Sequence, residues 1–319
     1  MNQTTKIAIV GLGRIGWRFH FQQALSSNQF ELTAVVDPLP ERLSEARAAA
    51  GCETHTDFES LWSGPLPDVV AKVATGIEED IECLIIVDEE PLRLLIGTGE
   101  SRIYCYDDGK THRIESFDQL SVRDKWYTPW GGPPDVRSFA RTTDGWVYAD
   151  IHVGSIMRSA DCGETWEPVT PDLHDDVHQV ATSPRDDDRV YANTARAVFV
   201  SDDRGRSWSH RSEGFPYYYG RAIAVHPDDP DCVLATVSKG PHGEASGQLY
   251  RSDDAGGTWE HVTEGFPGTV PHNIDTFHIA FSKDGCAWAA VGKTLYTSED
   301  RGKSWESTWE ASEKIRMIA

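Results

Sequence analysis

Two groups of residues in this 319-residue chain are of types and spacings that could do chemistry. The first is Gly11-x-Gly13-x-x-Gly16, set directly after the apolar run at 7–10 and followed, 21 residues after Gly16, by Asp37. In that pattern Gly11 permits a tight turn, Gly13 lets backbone approach a pyrophosphate, and Gly16 allows close packing of helix on strand. The helix start then offers free N–H groups and the positive end of its dipole to phosphate. A carboxylate at Asp37 suits the two ribose hydroxyls of NAD and repels the 2′-phosphate of NADP. The second group is Arg137, His178, Arg221 and Arg316, each three residues before an alanine (Ala140, Ala181, Ala224, Ala319) in short apolar segments that recur along the chain. Guanidinium groups brought together in this way grip carboxylate or phosphate bidentately.

The elements that must position the first group are legible through residue 70. "KIAIV" reads as a strand, "WRFHFQQAL" as a helix, "FELTAVVD" as a second strand ending in Asp37, and "LPERLSEARAAAG" as a helix from Glu41 stopped by Gly51. With "THTDFESLW" and "PDVV" after them, these segments resemble the N-terminal, Rossmann-type part of the Gfo/Idh/MocA oxidoreductases. In that family the strand matching "PDVV" leads to a Thr-Pro turn, a His, and a Glu-Lys-Pro segment whose Lys serves catalysis. None of these follows Val70. The resemblance therefore implies a nucleotide cradle, with NAD as the cofactor it would take, and no hydride-transfer half. Nothing else in the chain requires a cofactor.

Beyond Val70 the chain repeats. "SADCGETW" (159–166), "SDDRGRSW" (201–208), "SDDAGGTW" (252–259) and "SEDRGKSW" (298–305) begin 42, 51 and 46 residues apart. Each follows a short strand-like segment, with two more upstream and one after the Trp. Four short strands per 40–50 residues is the rhythm of a propeller blade. The octets resemble the Asp-box, or BNR, motif of sialidase-like, WD40/YVTN/BNR-like propellers, which implies a structural role. Ser and Asp would hold the hairpin backbone, Gly would take a left-handed turn, and Trp166, Trp208, Trp259 and Trp305 would fill the layer between blades. Asp161, Asp203, Asp254 and Asp300 are then not an acidic site. Residues 81–117 carry the same four-strand rhythm with a degenerate hairpin.

The expected fold is an all-β propeller with five recognisable four-stranded blades at 71–319, after a small α/β partial Rossmann segment at 1–70. "KIRMIA" at the end matches the innermost-strand pattern of "VRSFA", so both propeller ends are expected to close the ring, a reduced sixth blade being left open. First strands of blades line the central channel. That places Arg137, His178, Arg221 and Arg316 at its mouth, with Phe277 and His278 from the fifth blade and Glu82 from the first. Loops on the same side add Trp130, His152 and Asp275. The alternative is that these side chains pair with Glu82, Asp135, Asp176 or Asp275 and only satisfy a polar channel. The histidines have no short ligand spacing, so no metal is expected.

Charge narrows the partners. The chain carries a formal −21, of which residues 1–70 hold −3 and the rest −18. Such an excess disfavours nucleic acid, which needs clustered cations. No apolar run approaches a membrane span and no secretory signal is legible, so a cytoplasmic location is expected. The six cysteines stand far apart, without zinc or disulfide spacing. The expectation is a propeller that binds a small polar or anionic ligand, such as a sugar or sugar acid, or a protein, with no complete catalytic constellation. A sialidase-like glycoside hydrolase is the alternative, ahead of an NAD-dependent oxidoreductase. For hydrolysis the carboxylates to test are Glu82, Asp150, Glu244 and Asp275.

Overall fold

The computed structural model describes residues 5–12, 17, 21–26, 30–57, 60–61, 69–72, 77–89, 91–107 and 110–318. The chain divides into two compact units, Met1–Glu78 and Glu79–Ala319.

In the first unit, β1 (Thr5–Val10), β2 (Phe30–Val36), β3 (Glu53–His55) and β4 (Val69–Lys72) form a parallel sheet in the order β3-β2-β1-β4. Parallel neighbours require crossovers, and the helices α1 (Gln22–Ser26) and α2 (Pro40–Ala50) lie in the chain between them. The N–H of Gly51 closes α2 on the carbonyl of Arg47, as the sequence predicts. Ile9, Phe21, Val35 and Ala46 are fully buried between sheet and helices. The expected change of fold after Val70 falls within a strand: Ala71 and Lys72 still pair with Ile9 and Val10.

The second unit is a β-propeller of four-stranded antiparallel sheets, each a simple meander. The first sheet is β5 (Ile81–Glu89), β6 (Leu92–Thr98), β7 (Arg102–Asp107) and β8 (Lys110–Arg113), followed by helix α3 (Glu115–Asp118). The second is β9 (Val136–Arg141), β10 (Val147–Ile151), β11 (Ser155–Ser159) and β12 (Glu167–Pro168). The third is β13 (Val177–Ser183), β14 (Asp186–Thr194), β15 (Ala197–Ser201) and β16 (Ser209–His210). The fourth is β17 (Tyr219–His226), β18 (Asp229–Ser238), β19 (Gln248–Ser252) and β20 (Glu260–His261). The fifth is β21 (Ile279–Phe281), β22 (Ala287–Val291), β23 (Thr294–Ser298) and β24 (Glu306–Glu310). Successive sheets meet through β5, β9, β13, β17 and β21, so the first strand of each is innermost.

The cores lie between adjacent sheets. Tyr191 and Val200 of the third sheet pack with Ile223, Val233 and Ala235 of the fourth, and equivalent layers join the other neighbours. The octets build the hairpins that seal these layers. In the second of them Ser201 Oγ accepts the Gly205 N–H at 2.7 Å and donates to Asp203 Oδ1 at 2.8 Å. Asp203 in turn accepts the Ser207 N–H at 2.8 Å and hydroxyl at 2.7 Å. The same four contacts recur in the other three octets. Burial raises the pKa of all four aspartates, but these hydrogen bonds outweigh it and hold each below the usual range. Gly163, at φ +92°, would place a Cβ only 2.5 Å from Leu95 of the neighbouring sheet. Trp166, Trp208, Trp259 and Trp305 are all buried.

The chain's end departs from expectation. Residues 311–318 join no sheet; the amides of Ala311 and Ile315 donate to Lys293 and Gly292, and that of Ile318 to Phe277. The pattern of "KIRMIA" resembles an innermost strand, yet the segment lies along loops of the fifth sheet. Among the described residues the propeller has five sheets and no sixth. Another segment crosses the axis. Ahead of β21, Thr276 Oγ1 donates to the His178 carbonyl at 2.9 Å, and the Phe277 N–H lies 3.3 Å from Gln179 Oε1. The Phe277 ring packs against the core of the first two sheets. Phe277 holds φ +60°, a conformation costly for an aromatic residue.

Candidate functional site at the axial mouth

The register fixes which residues meet. The Asp-box hairpins lie at one end of the second to fifth sheets. At the other end, the start of each first strand sits beside the turn after each second strand, because Ile151 pairs with Val136 and Thr194 with Val177. That end gathers Arg137 from β9, Asp150 and His152 from β10 and its turn, Asp176 and His178 from the start of β13, and Tyr219 and Arg221 from β17. Arg137, His178 and Arg221 therefore stand at equivalent positions of three successive innermost strands, while Asp150, Asp176 and Tyr219 complete the group.

The contacts are close. Arg137 Nη2 lies 3.3 Å from His152 Nδ1. His152 Nε2 and His178 Nε2 lie 3.5 and 3.2 Å from Asp176 Oδ1, and His178 Nδ1 lies 2.5 Å from the Gly220 carbonyl. The Tyr219 ring is 4.9 Å from that of His178, with the Arg221 guanidinium 5.0 Å above the tyrosine. Trp130, 69% exposed, sets its ring 5.1 Å from His152. Arg221 Nε lies 3.7 Å from Asp275 Oδ1, a loose pair.

Burial dominates the electrostatics. Desolvation pushes the Arg137 guanidinium down, with Asp150 opposing and Arg221 adding to the effect. His152 and His178 are held below the usual imidazole value, first by burial and further by Arg137, with Asp176 opposing. Burial raises Asp176, but His178, His152 and Arg137 together bring it below the carboxylate range. Asp150 is fully buried, accepts only the Ser138 hydroxyl at 2.8 Å, and is pushed up to about 7 by desolvation. Glu82 and Asp135 are both raised, first by partial desolvation; their mutual repulsion adds to it at Glu82, and Arg137 lowers both. Several polar atoms in this cluster are buried without a hydrogen-bond partner: Arg137 Nη1, Asp150 Oδ1, Asp176 Oδ1, His178 Nε2 and Arg221 Nε.

The remaining predicted residues fall outside the cluster. His278 is buried and spent on backbone, its Nδ1 accepting from Asp275 N–H at 3.2 Å and its Nε2 donating to the Arg316 carbonyl at 2.9 Å. Arg316 is exposed and lies in no strand, so the register argument that aligned it with Arg137 does not apply. Glu82 is exposed on β5. Sequence reasoning gave Asp176 only as a pairing partner and Asp150 only as a hydrolytic acid.

In the first unit, Gly13 and Gly16 lie outside the described residues. The Gly11 N–H donates to the Val36 carbonyl at 2.7 Å. Asp37 is 1% exposed, and both its oxygens are engaged: Oδ2 accepts the Leu12 N–H at 2.6 Å, Oδ1 the Leu39 N–H at 2.9 Å, and Arg42 sits 3.4 Å away. The carboxylate ties the turn after β1 to the end of β2. Buried and tied to backbone on both oxygens, it does not present a free face to a ribose.

Fold and site together define an Asp-box β-propeller that gathers polar side chains at the mouth opposite its hairpins, preceded by a Gfo/Idh/MocA-type Rossmann segment. Family models agree segment by segment. Residues 5–76 match the oxidoreductase family with NAD-binding Rossmann fold, residues 295–308 the BNR-Asp box repeat, and residues 154–246 the sortilin, neurotensin receptor 3 family. A probable oligoxyloglucan-reducing end-specific xyloglucanase of Neosartorya fischeri is 28% identical over 185 residues, covering 50% of this chain and 22% of that protein. The chain thus spans less than a quarter of that relative's length. The crystal structure of an ancestral GH74 enzyme superposes with a TM-score of 0.53 at 14% identity, over 72% of this chain and 33% of the other. A structure of YCF48 bound to D1 peptide gives 0.51 at 13%, over 74% and 69%. These structural likenesses establish the propeller fold.

Proposed function

We propose that the propeller is a binding module for a small anionic ligand, such as a sugar acid, held at the axial mouth by Arg137 and Arg221. The observation that carries this reading is a pair of half-buried arginines in one cluster, each with a buried guanidinium nitrogen that lacks a hydrogen-bond partner. A desolvated donor without an acceptor is costly, and a carboxylate or phosphate entering the mouth supplies the acceptor with charge-assisted strength. Tyr219 and the exposed Trp130 add flat apolar area of the kind sugar rings and peptides stack on. A peptide carboxylate offers the same charge, so a protein partner falls within this reading.

The test is calorimetric titration with glucuronate, galacturonate and inorganic phosphate against neutral glucose. Binding of the acids but not of glucose is expected, with at least a tenfold loss in Arg221→Ala. Equal response to glucose, or affinity unchanged in Arg221→Ala, refutes the guanidinium grip.

Glycoside hydrolysis is the second reading, supported by the similarity to xyloglucanases and by two acids, Glu82 and Asp135, close enough for Asp135 to raise the Glu82 pKa. A carboxyl raised from its ordinary value near a second carboxyl is what general acid catalysis of glycoside cleavage uses. Asp150, though raised to about 7, has no exposed surface with which to reach a glycosidic oxygen. Release of reducing sugar from xyloglucan oligosaccharides, abolished by Glu82→Gln, would favour hydrolysis over binding alone. Hydride transfer is not proposed: Asp37 is closed, and the sequence after Val70 lacks the catalytic lysine segment.

A further inference from the structure

Three of the clustered side chains are arranged in a way that the grip on an anion does not use. Asp176 Oδ1 and His178 Nε2 stand 3.2 Å apart, yet neither has a hydrogen-bond partner, including each other. The other nitrogen of His178 settles which way the ring is protonated. Nδ1 lies 2.5 Å from the carbonyl of Gly220, an atom that only accepts, so Nδ1 carries the hydrogen. In the neutral ring Nε2 is then a lone pair. It shares a small space with a carboxylate oxygen, which is also an acceptor. His178 has no exposed surface, so bulk water does not fill that space.

A third donor faces the same point. His152, 6% exposed, presents Nε2 at 3.5 Å from the same Asp176 oxygen, and the three ligand atoms all lie within 4.8 Å of one another. Donors bound to one first-row metal at about 2.0–2.2 Å stand about 3–3.5 Å apart along an edge of the coordination polyhedron. The two separations to Asp176 have that size. Fixing the far nitrogen of a ligating histidine through a backbone carbonyl is how metal sites orient imidazole, and Gly220 does this for His178.

We infer that His152, Asp176 and His178 form a binding site for a divalent transition metal of the zinc or cobalt class, open on the side of the axial mouth. Two imidazoles and one carboxylate suit such ions better than calcium or magnesium, which take oxygen ligands. Three protein ligands leave at least one position for water or an outside ligand. The sequence hides the site because its ligands come from a turn of one sheet and the first strand of the next, without any short spacing. Metal at His152 Nε2 requires the hydrogen on Nδ1, which ends the 3.3 Å contact from Arg137 and leaves that guanidinium to turn toward the mouth. The inference stands apart from the anion reading, since the three ligands need no anion to hold the ion.

The experiment uses the full chain, stripped with chelator and dialysed, and titrated with Co²⁺ and Zn²⁺. Expected are one equivalent bound, a visible cobalt ligand-field spectrum displaced by Zn²⁺, and at least a tenfold weaker association in Asp176→Asn and in His178→Gln. Near-ultraviolet circular dichroism of both variants checks that the fold is retained; should His178→Gln unfold, the near-isosteric Asp176→Asn decides alone. No binding at millimolar Zn²⁺ overturns the inference. So does binding that persists unchanged in Asp176→Asn, which puts the ion elsewhere on the acidic surface. Titrating glucuronate into the metal-free chain separates the two readings, because anion binding there survives failure of the metal site, and cobalt binding survives failure of the anion grip.

Discussion

Replacing Asp150 by asparagine tests whether burial governs this site. The Asp150 carboxyl has no exposed surface, receives one hydrogen bond from Ser138, and is pushed from the ordinary 3.8 to about 7. Between those values the folded protein holds a proton that the unfolded chain has released. Stability is then greatest below the unfolded pKa and falls as pH rises to about 7, after which it is level. The rise from 3.8 to about 7, at about 1.36 kcal/mol for each tenfold change in proton affinity, amounts to about 4 kcal/mol lost across the window. Asparagine keeps the shape and an oxygen for the Ser138 hydroxyl, but it has no proton to lose. The assay is urea unfolding of both proteins at intervals from pH 4 to 8.5, taking the difference in stability at each pH. Other titrating groups largely cancel in that difference. It should move in favour of the Asp150→Asn variant by several kcal/mol between pH 4 and 7.5, even though Arg137 loses a nearby counter-charge. A difference flat to within about 1 kcal/mol would mean that Asp150 ionises as if in water, and the account of a desolvated cluster would fail.

Other perturbations bear on the frame. In Gly220→Ala the new Cβ would stand 1.7 Å from Asn193 Oδ1 and 2.9 Å from the Thr194 carbonyl. Overpacking of this kind costs about 1–3 kcal/mol, read as a lower urea midpoint, and should also loosen the carbonyl that orients His178. Asp203→Ala leaves the amide and hydroxyl of Ser207 without their acceptor. A loss of about 1–3 kcal/mol is expected, lowering Tm by about 2–4 °C for each kcal/mol in a unit of this size; an unchanged Tm would deny the octets their structural role. Arg316→Ala should leave glucuronate affinity within twofold, since its side chain lies outside the cluster. NADH should show no saturable fluorescence enhancement up to millimolar concentration, and saturation that Asp37→Ala abolishes would reopen the cradle.

The propeller was legible because its signal is local and repeated. Each octet fixes its own hairpin through contacts at most four residues apart, so the four copies report strand order without long-range information. The positions of Arg137, His178 and Arg221 were legible for a related reason, since a register that recurs carries equivalent residues to equivalent places. Arg316 shows the limit of that reasoning. Its segment has the apolar pattern of an innermost strand, but a strand needs partners, and hydrogen bonds to Gly292, Lys293 and Phe277 hold that segment along loops instead. The sequence brought His152 and His178 to one mouth and offered Asp176 as a pairing partner, but it gave no sign that three ligand atoms converge on one point, because contact between a turn and the next sheet depends on how sheets pack. Asp37 was read correctly as ending its strand, yet the sequence gives no sign that backbone amides occupy both its oxygens.

The residues that cross the axis bear on how the sheets hold together. Thr276 and Phe277 reach from the segment ahead of the fifth sheet to His178 and Gln179 of the third, and the Phe277 ring packs on the core of the first two. A strut thus joins sheets that are not neighbours along the chain, and a push on one of them is felt by the others.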